Sequence, residues 1–160
     1  MTSSPVPYEI RTAAPDDLPR LIDLIADHAD FERQKVNRTH LAENLPRYLF
    51  GADARLSVMV AGRGGKLVGY GAASIEFSTW KAACFLHLDC LYLAPQSRGA
   101  GLGARMLAAF ENLARQQNLG WMEWQTPDWN IDAARFYERN GARALPKLRF
   151  AKTLSHIPSR

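Results

Sequence analysis

An almost unbroken apolar run, Phe85 to Pro95 (FLHLDCLYLAP), meets a glycine-rich stretch, Gln96 to Gly103 (QSRGAGLG), which opens into ARMLAAFENLARQQ. No other feature constrains the fold as strongly. The run reads as one long buried strand, Cys84 to Leu93, stopped by Pro95. The segment after the glycines places Leu102, Met106, Leu107, Phe110 and Leu113 on one stripe of a helix reaching Gln117. Between a strand end and a helix start, several backbone N–H groups have no partner and the helix dipole favours negative charge. Gly99, Gly101 and Gly103 would let successive N–H groups surround a phosphate, and Arg98 would add a charged donor beside them. The plainer alternative is a tight turn whose glycines serve only close packing.

Three phosphate-binding designs compete for this loop. The Walker design needs a Lys after its last glycine, and none follows here. The dinucleotide spacing G-x-G-x-x-G/A is met by Gly99, Gly101 and Ala104. Its context is wrong, because hairpin-like strands rather than repeated strand–helix units precede the loop. The third design is the pyrophosphate loop of acyl-CoA-dependent N-acyltransferases.

Other elements follow from local pattern. Tyr8 to Arg11 alternates as a strand. The helix after Asp16-Asp17 carries Leu18, Leu21, Ile22 and Ile25 on one face, and a second helix, Thr39 to Leu49, is weakened or kinked by Pro46. Leu56–Ala61 and Lys66–Ile75 read as strands joined across Gly62-Arg63-Gly64-Gly65. Trp121–Thr126 is the next strand, Ile131–Asn140 a helix closed by Gly141, and Arg143–Leu154 contains a last strand or two. The expectation is an α+β fold, one domain over residues 1–160, with hairpin strands early and a strand–helix–strand unit late.

Charge and cysteine usage narrow the function. Twenty Lys and Arg against 16 Asp and Glu leave a net +4, scattered as single residues, which suits an anionic ligand without forming a nucleic-acid stripe. No apolar stretch approaches the roughly 20 residues that span a bilayer, and the N-terminal MTSSPVPYEIR lacks the pattern of a secretory leader. Cys84 and Cys90 lie on one strand, too far apart for a disulfide, so a reduced, cytoplasmic setting is the default. Four histidines without paired spacing give no metal site.

From Asp89 to Gly141 the chain resembles the GNAT superfamily of N-acetyltransferases. The family's Q/R-x-x-G-x-G/A motif stands as Gln96-Ser97-Arg98-Gly99-Ala100-Gly101, and its second mark as Asn130-Ile131-Asp132-Ala133-Ala134-Arg135-Phe136-Tyr137-Glu138-Arg139-Asn140-Gly141. Around the long strand and Phe77-Ser78-Thr79-Trp80 it is similar to the branch containing diamine and polyamine acetyltransferases. The resemblance implies a mixed, mostly antiparallel twisted sheet flanked by helices, with two strands splayed at a CoA cleft. It implies acetyl-CoA as acyl donor, bound by Gln96, Arg98, Gly99, Ala100, Gly101, Leu102 and Gly103, by the backbone at Leu91 and Leu93, and by Asn130 and Tyr137. It also implies a small-molecule amine as acceptor, no metal, and a homodimer.

Acyl transfer from a thioester to an amine needs a base for the amine, donors for the carbonyl oxygen and an acid for the departing thiolate. Tyr137 reads as that acid, since a phenol stays protonated at neutral pH and the Phe136-Tyr137 pair of the resemblance implies the role, or as an ordinary amphipathic core tyrosine of the final helix. Asp89, an acidic residue within an apolar strand, reads as base or amine anchor, or as a structural carboxylate. The polyamine branch has Glu then Asp here, whereas this chain has Asp89 then Cys90, which keeps a non-catalytic acyl-CoA-binding domain open as the second reading. A protein-lysine acceptor is a variant within the enzyme class. His87 reads as a relay or a structural histidine, and Cys90 as a thiol with no histidine pairing. Glu32, Glu76 and Trp80 read as candidates to hold a cationic amine by charge and ring face, or as exposed surface residues.

Overall fold

In the computed structural model, which describes residues 6–154, the strands are β1 (Glu9–Thr12), β2 (Ser57–Arg63), β3 (Lys66–Ser78), β4 (Ala83–Leu93) and β5 (Met122–Trp124). The helices are α1 (Leu18–Phe31), α2 (Arg38–Phe50), α3 (Leu102–Gln116) and α4 (Ile131–Arg139). Residues 1–5, within the stretch read for a secretory leader, lie outside the described residues. The fold is α+β. The chain divides into two compact units, one ending at Pro127 and the other beginning at Asp128.

The first unit holds one sheet in the order β1-β2-β3-β4-β5, antiparallel throughout except for the parallel β4–β5 pair. A Gly64-Gly65 turn joins β2 to β3, so β2 runs on to Arg63, while β3 passes its expected end at Ile75 to reach Ser78 by pairing with β4. The β3–β4 ladder reaches from Gly69↔Leu93 to Ser78↔Ala83. In contrast, β4 and β5 pair only over Leu86↔Met122, His87↔Glu123 and Leu88↔Trp124. Past Leu88, β4 therefore runs on for five more residues with no described strand on that side.

Both faces of the sheet are covered within this unit. Leu21 and Leu24 of α1 pack on Val58, Val60, Leu67, Tyr70, Ala72 and Tyr92. Leu102 and Met106 of α3 pack on Ala61 and Val68, with Leu91 and Leu93 against them. Phe110, fully buried, reaches the sheet at Gly71, where an added Cβ would stand 2.5 Å from its ring. Only a residue without a side chain admits the ring there. The stripe expected for α3 is buried, with Ala114 buried in the last turn where Leu113 is half-buried. Helix α2 begins with the Asn37 side chain accepting from the His40 N–H at 3.0 Å, and it runs through Pro46 to Gly51.

The second unit contains α4, closed after Asn140 as expected. The expectation of a strand within Arg143–Leu154 is not met, for no strand forms there. Leu145, Leu148, Phe150 and Leu154 are instead exposed. Alternating apolar residues make a segment able to be a strand, but a strand exists only where another offers it a ladder.

Candidate active site

The decisive feature of β4 is a bulge at Asp89. Cys90 pairs with Ala72 and Leu88 with Ala73, so Asp89 is the extra residue, opposite none on β3. A bulge shifts the alternation of the backbone by one. Below it, the Leu86 N–H donates to Trp121 of the β5 side at 3.2 Å. Above it, the Ala94 N–H donates to the Val68 carbonyl at 2.8 Å, which makes 94/68, and by the two-residue period 92/70 and 90/72, the bonded pairs with β3. The N–H groups of Leu91 and Leu93 consequently point away from β3, to the edge that β5 no longer covers. Without the bulge those of Cys90 and Tyr92 would point there instead.

Next along the chain, Pro95–Ser97 form one short 3-10 turn, and Gly99 and Gly101 take positive φ of 81° and 73°. Gly101 sits at the N-cap of α3, and an added Cβ at either glycine would meet nothing within 4 Å. The loop therefore presents bare backbone and the start of a 15-residue helix to open space. Gly103, Leu102 and Ala104 fall in the first turn of α3, and Leu102 is buried. Gln96 and Ala100 are exposed. The motif also fits two residues further on, as Arg98-Gly99-Ala100-Gly101-Leu102-Gly103, a frame in which its last glycine falls inside the helix.

The Arg98 guanidinium lies over two rings, 5.1 Å from the Phe31 centroid and 5.6 Å from that of Tyr92, and Nε donates to the Leu93 carbonyl at 2.9 Å. That contact leads to a polar chain beneath α1. His28 Nδ1 and the Tyr70 hydroxyl are 2.9 Å apart, and His28 Nε2 lies 3.3 Å from Glu32 Oε1. The His28 ring also stacks on Tyr92, at 5.1 Å and 21°. Tyr70 is hydrogen-bonded to Cys90, whose Sγ donates to Asp89 Oδ2 at 3.3 Å. Burial holds the His28 imidazole below its ordinary pKa, against the opposing pull of Glu32. Burial likewise raises the Tyr70 phenol and pushes the Cys90 thiol up to about 12, with the Asp89 charge acting the same way on both. A thiol held protonated to that degree is no nucleophile at neutral pH.

The structure thus brings Glu32, Asp89 and Arg98 into one neighbourhood and adds His28, Tyr70 and Tyr92, none of which the sequence reading singled out. The available signals were the i,i+4 spacing of His28 and Glu32, and tyrosines on two strands whose register was unknown. Glu76 and Trp80 are elsewhere. Glu76 pairs opposite Phe85, four residues down β4 from Asp89, and accepts from Ser74; Trp80 is 96% exposed at the β3–β4 turn. His87 is half-buried opposite Ser74. In the second unit, Asn130 caps α4 by accepting from the Ala133 N–H at 3.2 Å, and Tyr137 packs on Phe136 at 5.1 Å. Both cysteines are free. Among the described residues no group of three or more His, Cys, Asp or Glu could hold a metal, and no helix is long and apolar enough to cross a membrane.

The profile of the acetyltransferase (GNAT) family matches residues 21–142, which include the bulged strand, the glycine loop and α4. The chain belongs to the GNAT acetyltransferase family. It is accordingly an acetyl-CoA-dependent N-acetyltransferase. Thialysine N-epsilon-acetyltransferase of Caenorhabditis elegans is 30% identical over 131 residues, covering 82% of this chain and 80% of the relative. Blasticidin-S acetyltransferase of Streptomyces morookaense is 31% identical over 126 residues, covering 79% and 82%. An aminoglycoside N-acetyltransferase solved in complex with CoA has the same fold, with a TM-score of 0.78 at 16% identity over 96% of this chain and 99% of that one. The GNAT-like α+β fold that the family resemblance implies is the fold observed.

Proposed function

We propose that this acetyltransferase transfers the acetyl group of acetyl-CoA to a primary amine of a small molecule, a diamine, polyamine or amino-acid-like compound, by direct attack in a ternary complex. The observation that carries this reading is the bulge at Asp89, which puts a carboxylate beside two backbone N–H groups turned to the strand edge beyond its pairing with β5. The N–H groups of Leu91 and Leu93 serve the acyl donor's arm and its thioester carbonyl, and the Gln96–Gly103 backbone serves its pyrophosphate. That loop fits the group, since bare glycines in positive φ leave its N–H groups accessible.

Asp89, exposed at the bulge, takes the ammonium proton directly or through a water, leaving a neutral amine to attack the thioester carbonyl. Charge then builds on the carbonyl oxygen, and a preplaced backbone donor lowers that barrier without reorganising. As the C–S bond breaks, Tyr137 protonates the thiolate, and Asn130 contacts the CoA arm; both assignments rest on the motif around α4. Glu32 adds negative charge for a cationic acceptor, with Glu76 and Trp80 as more remote contributors. The names of the two curated relatives, thialysine and blasticidin-S acetyltransferases, support a small-molecule acceptor. The free thiols accord with a reducing, cytoplasmic setting, and the outer edge of β5 with a homodimer.

The test is thiol release from acetyl-CoA across an amine panel that includes thialysine, diamines and lysine peptides. Turnover with free amines, lost in Gly101→Glu together with acetyl-CoA binding, supports the reading. Turnover confined to peptides would replace the acceptor class, and donor binding without any turnover would leave only an acyl-CoA-binding domain.

A further inference from the structure

We propose that Arg98 is a positioning residue that ties the glycine loop to the last turn of α1, so that occupation of the loop fixes the wall carrying His28 and Glu32. This rests on the assignment of the loop to acetyl-CoA. Arg98 belongs to the loop by sequence, yet its side chain leaves it. Nε donates to the Leu93 carbonyl, and the guanidinium is held over Phe31, the last residue of α1, and over Tyr92 of β4. Tyr92 in turn stacks on His28, which bridges Tyr70 and Glu32.

The geometry suits arginine alone among the cationic residues. A planar, weakly hydrated guanidinium can lie against two rings while Nε keeps a fixed hydrogen bond, whereas an ammonium has neither the plane nor the lateral donor. The wall it braces begins where α1 ends, and Phe31 itself is 40% exposed, so the apolar core holds that turn only in part. Residues 32–37 then lead to α2. A loop held by a donor on one side and by Arg98 on the other makes the order of that turn depend on the donor. Coupling of this kind is reciprocal, so an acceptor seated on Glu32 would tighten the donor by the same factor.

Arg98→Lys and Arg98→Met are compared with the wild-type chain, measuring acetyl-CoA affinity by calorimetry and amide exchange of residues 28–33 with and without acetyl-CoA. In the wild type, acetyl-CoA is expected to slow exchange in that segment several-fold. Both variants are expected to lose the slowing even when saturated with acetyl-CoA, because stacking and not charge carries the brace. A loss of affinity of about tenfold or more in Arg98→Met that Arg98→Lys restores would make Arg98 a direct phosphate ligand and overturn the proposal. Wild-type binding that leaves residues 28–33 unchanged, or slowing that survives in Arg98→Lys, overturns it too. If the wild type binds no acetyl-CoA, the assignment of the loop falls first and this inference with it.

Discussion

The two faces of the sheet are buried on the same strands, β2, β3 and β4, by different means. Against α3 the contacts are apolar throughout, from Leu102, Met106, Leu107 and Phe110, all with 2% exposure or less. Against α1, Leu21 and Leu24 form a similar core, but toward the end of the helix it gives way to His28, Tyr70 and Cys90 joined by hydrogen bonds, with Tyr92 stacked on His28. A buried polar group returns little net stability even when satisfied, whereas an apolar one of the same size returns its transfer free energy. The α3 face therefore carries stability and fixes the helix whose start faces the glycine loop. The α1 face gives up part of that gain to place titratable groups beside Asp89.

The contrast is open to attack by mutation. Phe110→Ala should cost about 3–5 kcal/mol in urea unfolding, since the ring leaves a cavity over Gly71 that the backbone cannot fill. A cost under about 1.5 kcal/mol would mean the α3 face collapses easily and is not the stabilising one. Asp89→Asn should lower kcat/KM for the amine by about a hundredfold or more, with stability changed by less than about 0.5 kcal/mol. If unfolding shifts as much as activity, Asp89 is a structural carboxylate.

A smaller effect is expected from pH. His28 has a folded pKa below its ordinary 6.5, so between those two values the unfolded chain binds more protons than the folded one. Stability rises with pH through that window and is lost as pH falls below 6.5, with a slope of at most about 1.4 kcal/mol per unit for one group. His28→Gln should flatten that part of the urea-midpoint profile, and a profile identical to wild type would show that His28 is not buried neutral. Least disturbing to the fold is alkylation at neutral pH. Mass spectrometry after iodoacetamide should find exposed Cys84 modified and Cys90, with its thiol near 12, spared. Equal labelling would mean that the α1 face opens.

Local pattern carried the helices and most strands to within a few residues of their ends, because apolar periodicity and glycine or proline punctuation are written in neighbouring positions. The long strand, the loop and α3 were legible for that reason. Arg143–Leu154 was misread because its alternation says nothing about whether a partner strand exists. Asp89 and Arg98 were legible as residues of interest, but not their neighbourhoods.

What the sequence determined by itself was the strand, glycine loop and helix around Gln96–Gly103, and with it the kind of donor the chain is built for. Only the tertiary structure decided that Asp89 is the bulged residue, that Leu91 and Leu93 turn their N–H groups to the edge beyond β5, and that the Arg98 side chain turns toward α1. Register between strands and packing between a helix and a distant strand are long-range choices. A one-residue shift reverses which backbone groups face which side, and no run of neighbouring residues records it.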